Sequence, residues 1–225
     1  MLTISLVRRF NVSFQVIPVR EWSEEALTNG LNLLDLERIQ GELEVDLKIV
    51  ASLKGTFKTA HPGRILCGTK DIPDCFTQKL CAKQVYLQKS ATGPIMRYRG
   101  DEERRKLVKE VVCLDWATIL LDLTYGFVEG AVAERGEPPV GIPKLRFVRT
   151  MLAADAQNDK HFLIEEWLGD GSEFVKYINN GHPVSCVQVD APTKDHKIAE
   201  FLCFAQHVQY NQTEGLAYTS DYQGL

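Results

Sequence analysis

No CxxC pair occurs among the six cysteines (Cys67, Cys75, Cys81, Cys113, Cys186 and Cys203), and they form no dense framework. Thiols so scattered over 225 residues exclude a disulfide scaffold. They are expected to be reduced, mostly buried, and part of an intracellular, cytoplasmic protein. A signal peptide is missing too, since Arg8 and Arg9 interrupt the apolar start "MLTISLVRRFNVSFQVI". No apolar run approaches the roughly 20 residues that cross a bilayer, so no membrane partner is expected. Without a secretory signal, Asn11-Val12-Ser13 and Asn211-Gln212-Thr213 are chance matches to the glycosylation triplet. Positive charge is not in excess either: the net charge is −4, which removes bulk attraction to nucleic acid or anionic lipid. There is no internal repeat and no low-complexity tract. What remains is ordinary globular composition, sufficient for one domain with a sizeable core or for two small lobes.

The first half reads as β-rich and the middle as helical. "LEVDLKIVASL" alternates apolar and polar residues at period two, as a half-buried strand does. "GTFKTAHPG" follows as a glycine-bounded turn and short strand, and "KLCAKQVYLQ" is another strand. On that strand Cys81, Lys83 and Val85 share one face, while Leu80, Ala82 and Gln84 share the other. Acids then precede apolar residues at helical spacing (Leu107, Val111, Leu114, Leu121), which predicts one long amphipathic helix or two in succession. Arg135 to Pro143 is a proline- and glycine-broken loop. "LRFVRTMLA" and "HFLIEEWL" are two more strands, a helix runs from about Asp195 to Gln206, and a closing hairpin uses the alternation Leu216 to Ser220. This order predicts an α+β fold with a mainly antiparallel sheet.

Lys83 stands out because a lysine on a strand facing a cleft holds phosphates as a point charge. Such a lysine takes a carboxylate partner from the following helix. Glu110, beside the apolar Val111, is available, whereas Glu102 and Glu103 lie at the helix start and are expected in solvent. Gly55 permits close backbone approach and Lys58 adds charge, so their turn could cover phosphate, although it matches neither GxGxxG nor GxxxxGK[ST]. Glu165 and Glu166 end a strand that leaves into a loop with glycines at 169 and 171, a plausible hinge offering backbone groups to a base. His207 and Asp221 lie fourteen residues apart across the closing hairpin, and one histidine is not a zinc site. Cys67 or Cys81 with His61 would suit a cysteine hydrolase, but no orienting acid or oxyanion turn accompanies them.

The segments "LCAKQVY", "FLIEEWLGDGSEFVKYINNG" and "AQHVQYNQTEGLAYTSDYQGL", in that order, resemble the alpha-type protein kinases. This is the atypical serine/threonine family of myosin heavy chain kinase and elongation-factor-two kinase. "GSEFVKY" stands for the family's G-x-F-x-K-Y segment with the glycine one position further back, and "EGLAYTSDYQG" for its G-x-LLVVDLQG signature with DYQG in place of DLQG. The resemblance covers Gly55 onward and implies a two-lobed, kinase-like α+β fold. In it a β-rich N-lobe and a long helix precede an incomplete C-lobe. It assigns residues 45–225 to the kinase domain and leaves 1–44 as an extension without a role.

By the same resemblance Lys83 engages the α/β-phosphates of ATP, with Glu110 its helix partner and Gly55 and Lys58 in the phosphate loop. Glu165 and Glu166 meet adenine, Asp221 orients the acceptor hydroxyl, Gln223 is a magnesium ligand, and His207 matches a structural zinc ligand. The implied activity is transfer of the ATP γ-phosphate to a protein serine or threonine. The family's later T-D-P and H-x-C-x3-C elements have no counterpart before Leu225. A C-terminally truncated domain is therefore expected, with an incomplete zinc site and impaired catalysis. Structural zinc contributes on the order of 10 kcal/mol where it is complete. A catalytically inactive pseudokinase that binds another protein is the alternative.

Overall fold

The computed structural model describes residues 6–48, 54–67, 70–90, 93–136, 138, 141–169, 174–187 and 193–224. The chain forms two compact units. Unit 1 holds Met1–Val19, Leu31–Cys113 and Val148–Leu168; unit 2 holds Arg20–Gly30, Leu114–Phe147 and Gly169–Leu225.

Unit 1 is built from β1 (Val7–Val16), β2 (Ile39–Asp46), β3 (Lys58–Cys67), β4 (Leu80–Leu87), β5 (Met96–Arg97), β6 (Thr150–Asp155) and β7 (Lys160–Glu166). They pair in the order β3-β2-β1-β6-β7-β4-β5, and β3 also pairs with β4. That last pairing closes β1, β2, β3, β4, β7 and β6 into a ring without an open edge, with β5 attached to β4. Alternate side chains fill the interior: Phe10, Val12 and Phe14 of β1 meet Leu43, Val45, Leu80, Ala82, Met151, Phe162 and Ile164. Gly41 lets β2 pass close to its neighbours, since a Cβ there would stand 2.6 Å from the Cys67 carbonyl oxygen and 2.9 Å from the Phe14 ring.

The outer face carries a second apolar cluster. Val85, Leu152 and Leu163 of the strands pack there against Leu107 and Val111 of α2 (Gly100–Arg135). The helix is single rather than two in succession, because no proline or capping residue interrupts it. Its start is fixed locally. Gly100 adopts a positive φ of 55°, its N–H donates to the Asp159 carbonyl at 3.2 Å, and a Cβ would lie 2.6 Å from Asp159 Oδ2.

Unit 2 contains α1 (Glu24–Asn29), the later part of α2, β8 (Val175–Lys176), β9 (Ile178–Asn179), β10 (His182–Ser185), α3 (Lys194–Gln212) and β11 (Gln223–Gly224). Thr193 caps α3 by accepting from the His196 N–H at 3.2 Å. Tyr177, Ile178, Ile198, Ala199, Leu202 and Tyr222 make its core. Arg20 is paired with buried Asp115, and the Gln209 amide donates to the Leu120 carbonyl and to Thr124, each at 3.2 Å.

Several expectations are corrected. Within residues 1–44, expected as an extension without a role, β1 is a member of the closed ladder, between β2 and β6. The apolar spacing Phe10, Val12, Phe14 requires this burial. Leu216 to Ser220 form no strand, and only Gln223–Gly224 pair, with β8. Cys67, Cys75, Cys113 and Cys186 are exposed rather than buried. Among the described residues one helix, α2, is long and apolar enough to cross a membrane by length and composition. The fold is α+β, with a β-rich unit and a long helix, as expected.

Candidate functional site

In unit 1, Lys83 rises from the outer face of β4, on the side where α2 packs. Its main-chain partner across the ladder is Leu163, which brings Glu165 of β7 to the diagonal position on the same face. The ammonium lies 2.5 Å from Glu165 Oε2, with 26% and 13% of the two side chains exposed. Burial works to lower the Lys83 pKa, but the Glu165 charge and hydrogen bond, helped by Cys81 and Glu110, outweigh it and leave the value raised. Lys83 is thus a fixed cation.

Glu110, expected to be the partner of Lys83, is paired with Lys58 instead. The reason is register. Lys58 stands opposite Val85, one diagonal step from Lys83, and its β3 position reaches the α2 carboxylate. Two lysines and two glutamates therefore share the α2-facing side of the ladder in matched pairs. Glu165 and Glu166 do not act alike. Glu166 points to the other face, 7% exposed, and accepts the Arg149 N–H at 2.8 Å, so its carboxylate is committed within the fold.

Gly55 sits in the turn before β3, where Lys54 and Thr59 form a bridge. Its N–H donates to the Lys58 carbonyl at 2.8 Å and its carbonyl accepts from the Tyr86 hydroxyl. Both backbone groups are satisfied inside the turn, and the charge offered there is that of Lys58. Gly171 of the expected hinge lies outside the described residues.

Glu103, expected in solvent, is 1% exposed and accepts the His161 N–H at 2.8 Å. Burial drives its carboxyl up to about 7, against the lowering influence of that hydrogen bond and of Arg97 and Lys160. Cys81 is likewise pushed up to about 11, by burial first. The ring of His61 is held by Thr59 at 2.7 Å and by the Asp46 carbonyl at 3.1 Å, and burial lowers its pKa. A protonated thiol beside an engaged imidazole gives no activated nucleophile, which removes the Cys81–His61 hydrolase.

In unit 2, Asp221 has a φ of 64°, a left-handed conformation that aspartate tolerates better than most residues. Tyr222, 6% exposed and stacked on Phe147 with centroids 6.2 Å apart, anchors this turn into the core. Asp221 is ion-paired with Lys176 of β8, with 59% and 35% of the side chains exposed. Gln223 follows on β11, opposite Lys176. Sequence reasoning missed the acid's partner, which depends on a two-residue ladder too short to show a period.

His207 lies on the exposed side of α3, its Nε2 3.0 Å from the Asn211 amide nitrogen. Among the described residues no group of three or more His, Cys, Asp or Glu could hold a metal ion. A zinc site does not fit: one engaged imidazole supplies one donor where about four are needed. Asp221 and Gln223 do offer hard oxygen donors of the kind magnesium takes alongside substrate phosphates.

The fold defined by this closed ladder, the long helix and the second unit is that of the alpha-kinase domains. An alpha kinase from Entamoeba histolytica superimposes with a TM-score of 0.58 at 14% identity, over 97% of this chain and 72% of that one. The apoenzyme alpha-kinase domain of myosin-II heavy chain kinase A gives 0.52 at 16% identity, over 96% and 79%. The inactive alpha-kinase domain of myosin heavy chain kinase A in complex with ATP gives 0.51 at 16% identity, over 99% and 80%. No family model and no curated protein matches the sequence.

Proposed function

We propose that this chain binds ATP and acts as a protein serine/threonine kinase of the alpha type. The observation that carries the reading is the Lys83–Glu165 pair, set beside Lys58–Glu110 on the α2-facing side of an alpha-kinase-like sheet. One solved neighbour with this fold holds ATP, which supports the nucleotide assignment.

Lys83 binds the α/β-phosphates. Its ammonium has three donors, and Glu165 orients it while leaving capacity for phosphate oxygens. Lys58 adds a second positive charge from the start of β3. The strand end at Glu165–Glu166 serves adenine through the backbone beyond it, since both carboxylates are engaged elsewhere. Asp221 orients the acceptor hydroxyl and takes its proton as the γ-phosphoryl group leaves ADP for the serine or threonine oxygen. The Lys176 pair, being well exposed, costs little to open. Gln223 would help hold magnesium, which when bound neutralises charge on the phosphates.

A second reading is a nucleotide-binding module without transferase activity, favoured by the Lys176 ion pair that ties up Asp221. Transfer of labelled γ-phosphate from magnesium-ATP to a generic basic protein separates the two. The kinase reading expects incorporation that drops by about 10²-fold or more in Asp221→Asn. Absence of incorporation, with ATP still bound, selects the module.

A further inference from the structure

Unit 2 holds an open groove unconnected with any residue assigned above. The end of α2, residues 136, 138 and 141–143, and α3 line about 630 Å³, within the ~300–1,000 Å³ range of small-ligand sites. The walls are apolar: Val128, Ala131 and Val132 on α2, Ile142 on the loop, and a run of rings along the helix seam. In that run Phe201 meets Phe204 with centroids 6.2 Å apart and Phe204 meets Phe127 at 6.4 Å, while Tyr125, outside the lining, stacks on Phe201 at 5.5 Å. Phe127 and Phe204 remain 42% and 41% exposed, so the run ends in solvent instead of in the core.

The polar residues of the lining decide the occupant. Arg135 and Lys197 border the groove, and among the described residues neither has an ion-pair or side-chain hydrogen-bond partner. Glu200 is the one acid among the described lining residues, and it lies 3.3 Å from His196 Nε2. Two unpartnered cations at an apolar trough suit a ligand with an apolar body and one anionic head. A largely apolar, open trough suits a flexible alkyl chain, because the chain leaves few donors or acceptors unpaired along it.

We propose that this groove binds a single-chain fatty carboxylate, free in solution, with its head on Arg135 and Lys197 and its chain along Phe127, Val132, Phe201 and Phe204.

The test uses the whole chain and displacement of bound anilinonaphthalene sulfonate by laurate, dodecanol and dodecyltrimethylammonium, each below its critical micelle concentration. Laurate is expected to compete best, by about tenfold over the cationic chain. The double variant Arg135→Glu/Lys197→Glu, both residues being on the surface, should lose about tenfold in laurate affinity while dodecanol is unaffected. A diazirine-bearing fatty carboxylate should label peptides within 127–135 or 197–204. Equal affinity for the two head groups, an unaffected double variant, or labelling confined to other peptides would overturn the assignment. Self-association in sedimentation that Phe204→Asp abolishes would also overturn it, by making a second copy the occupant.

Discussion

Consider removing the partner of Lys83 with Glu165→Gln, which keeps size and one acceptor oxygen but deletes the charge. An exposed ion pair contributes about 0–1 kcal/mol, while stranding one member of a fully buried pair costs about 3–5 kcal/mol. Exposures of 26% and 13% place this pair between those limits, and nearby Glu110 still favours the ammonium. The expected loss is therefore about 1–2 kcal/mol, or roughly 0.5–1 M in urea midpoint for an m-value near 2 kcal/mol/M.

The sign with pH is defined. The folded Lys83 pKa is raised, so the contribution is fully present below the ordinary lysine value and is lost as pH rises through the folded one. The loss in Glu165→Gln should be constant from pH 7 to about 9. Trp167 reports on unit 1 alone once Trp22 and Trp116, which belong to unit 2, are replaced by phenylalanine. Urea transitions of Lys83→Met, Glu165→Gln and the double variant then close a cycle. Single losses that add to within about 0.3 kcal/mol would show no coupling and refute the pairing on which the site rests.

Three further outcomes are expected. Glu103→Gln should leave stability near pH 4.5 almost unchanged and raise it at pH 8 by up to about 3 kcal/mol, because a buried carboxyl titrating near 7 costs the wild type stability as pH climbs from 4.5 to 7. His161, whose pKa burial lowers, acts in the opposite direction in both proteins, so a difference between them that does not vary with pH would refute the burial argument. At pH 7.5 iodoacetamide should modify Cys67, Cys75, Cys113 and Cys186 while sparing Cys81, read by peptide mass spectrometry; rapid labelling of Cys81 would contradict a thiol held near 11. Gly41→Ala should cost about 2 kcal/mol or more in the unit 1 transition, since the new methyl meets backbone that cannot yield, and a neutral outcome would show the ladder to be more plastic than its closure implies.

The strands that carry the site were legible where the period-two pattern was strong. Cys81, Lys83 and Val85 do share a face, and "HFLIEEWL" covers β7 from His161 to Glu166. The long helix was legible from its apolar spacing. Pairing between distant strands was not, because a single strand does not encode its neighbour's register. Glu165 reaches Lys83 only through the β4–β7 ladder, and Glu110 is thereby released to Lys58. Burial of Glu103 was hidden for a similar reason, since it depends on the β6–β7 turn folding back onto the start of α2. At the other end, the alternation in Leu216 to Ser220 imitated a strand but had no partner, and the chain instead turns through Asp221 in a left-handed conformation.

Direct calorimetric titration with magnesium-ATP tests the nucleotide assignment most sharply, comparing the wild type with Lys83→Ala and Glu165→Gln. Lys83→Ala should lose affinity by about tenfold or more, while Glu165→Gln, which keeps the ammonium, should retain most of it. Unchanged affinity in Lys83→Ala, or absence of ATP binding by a folded wild type, would contradict the account.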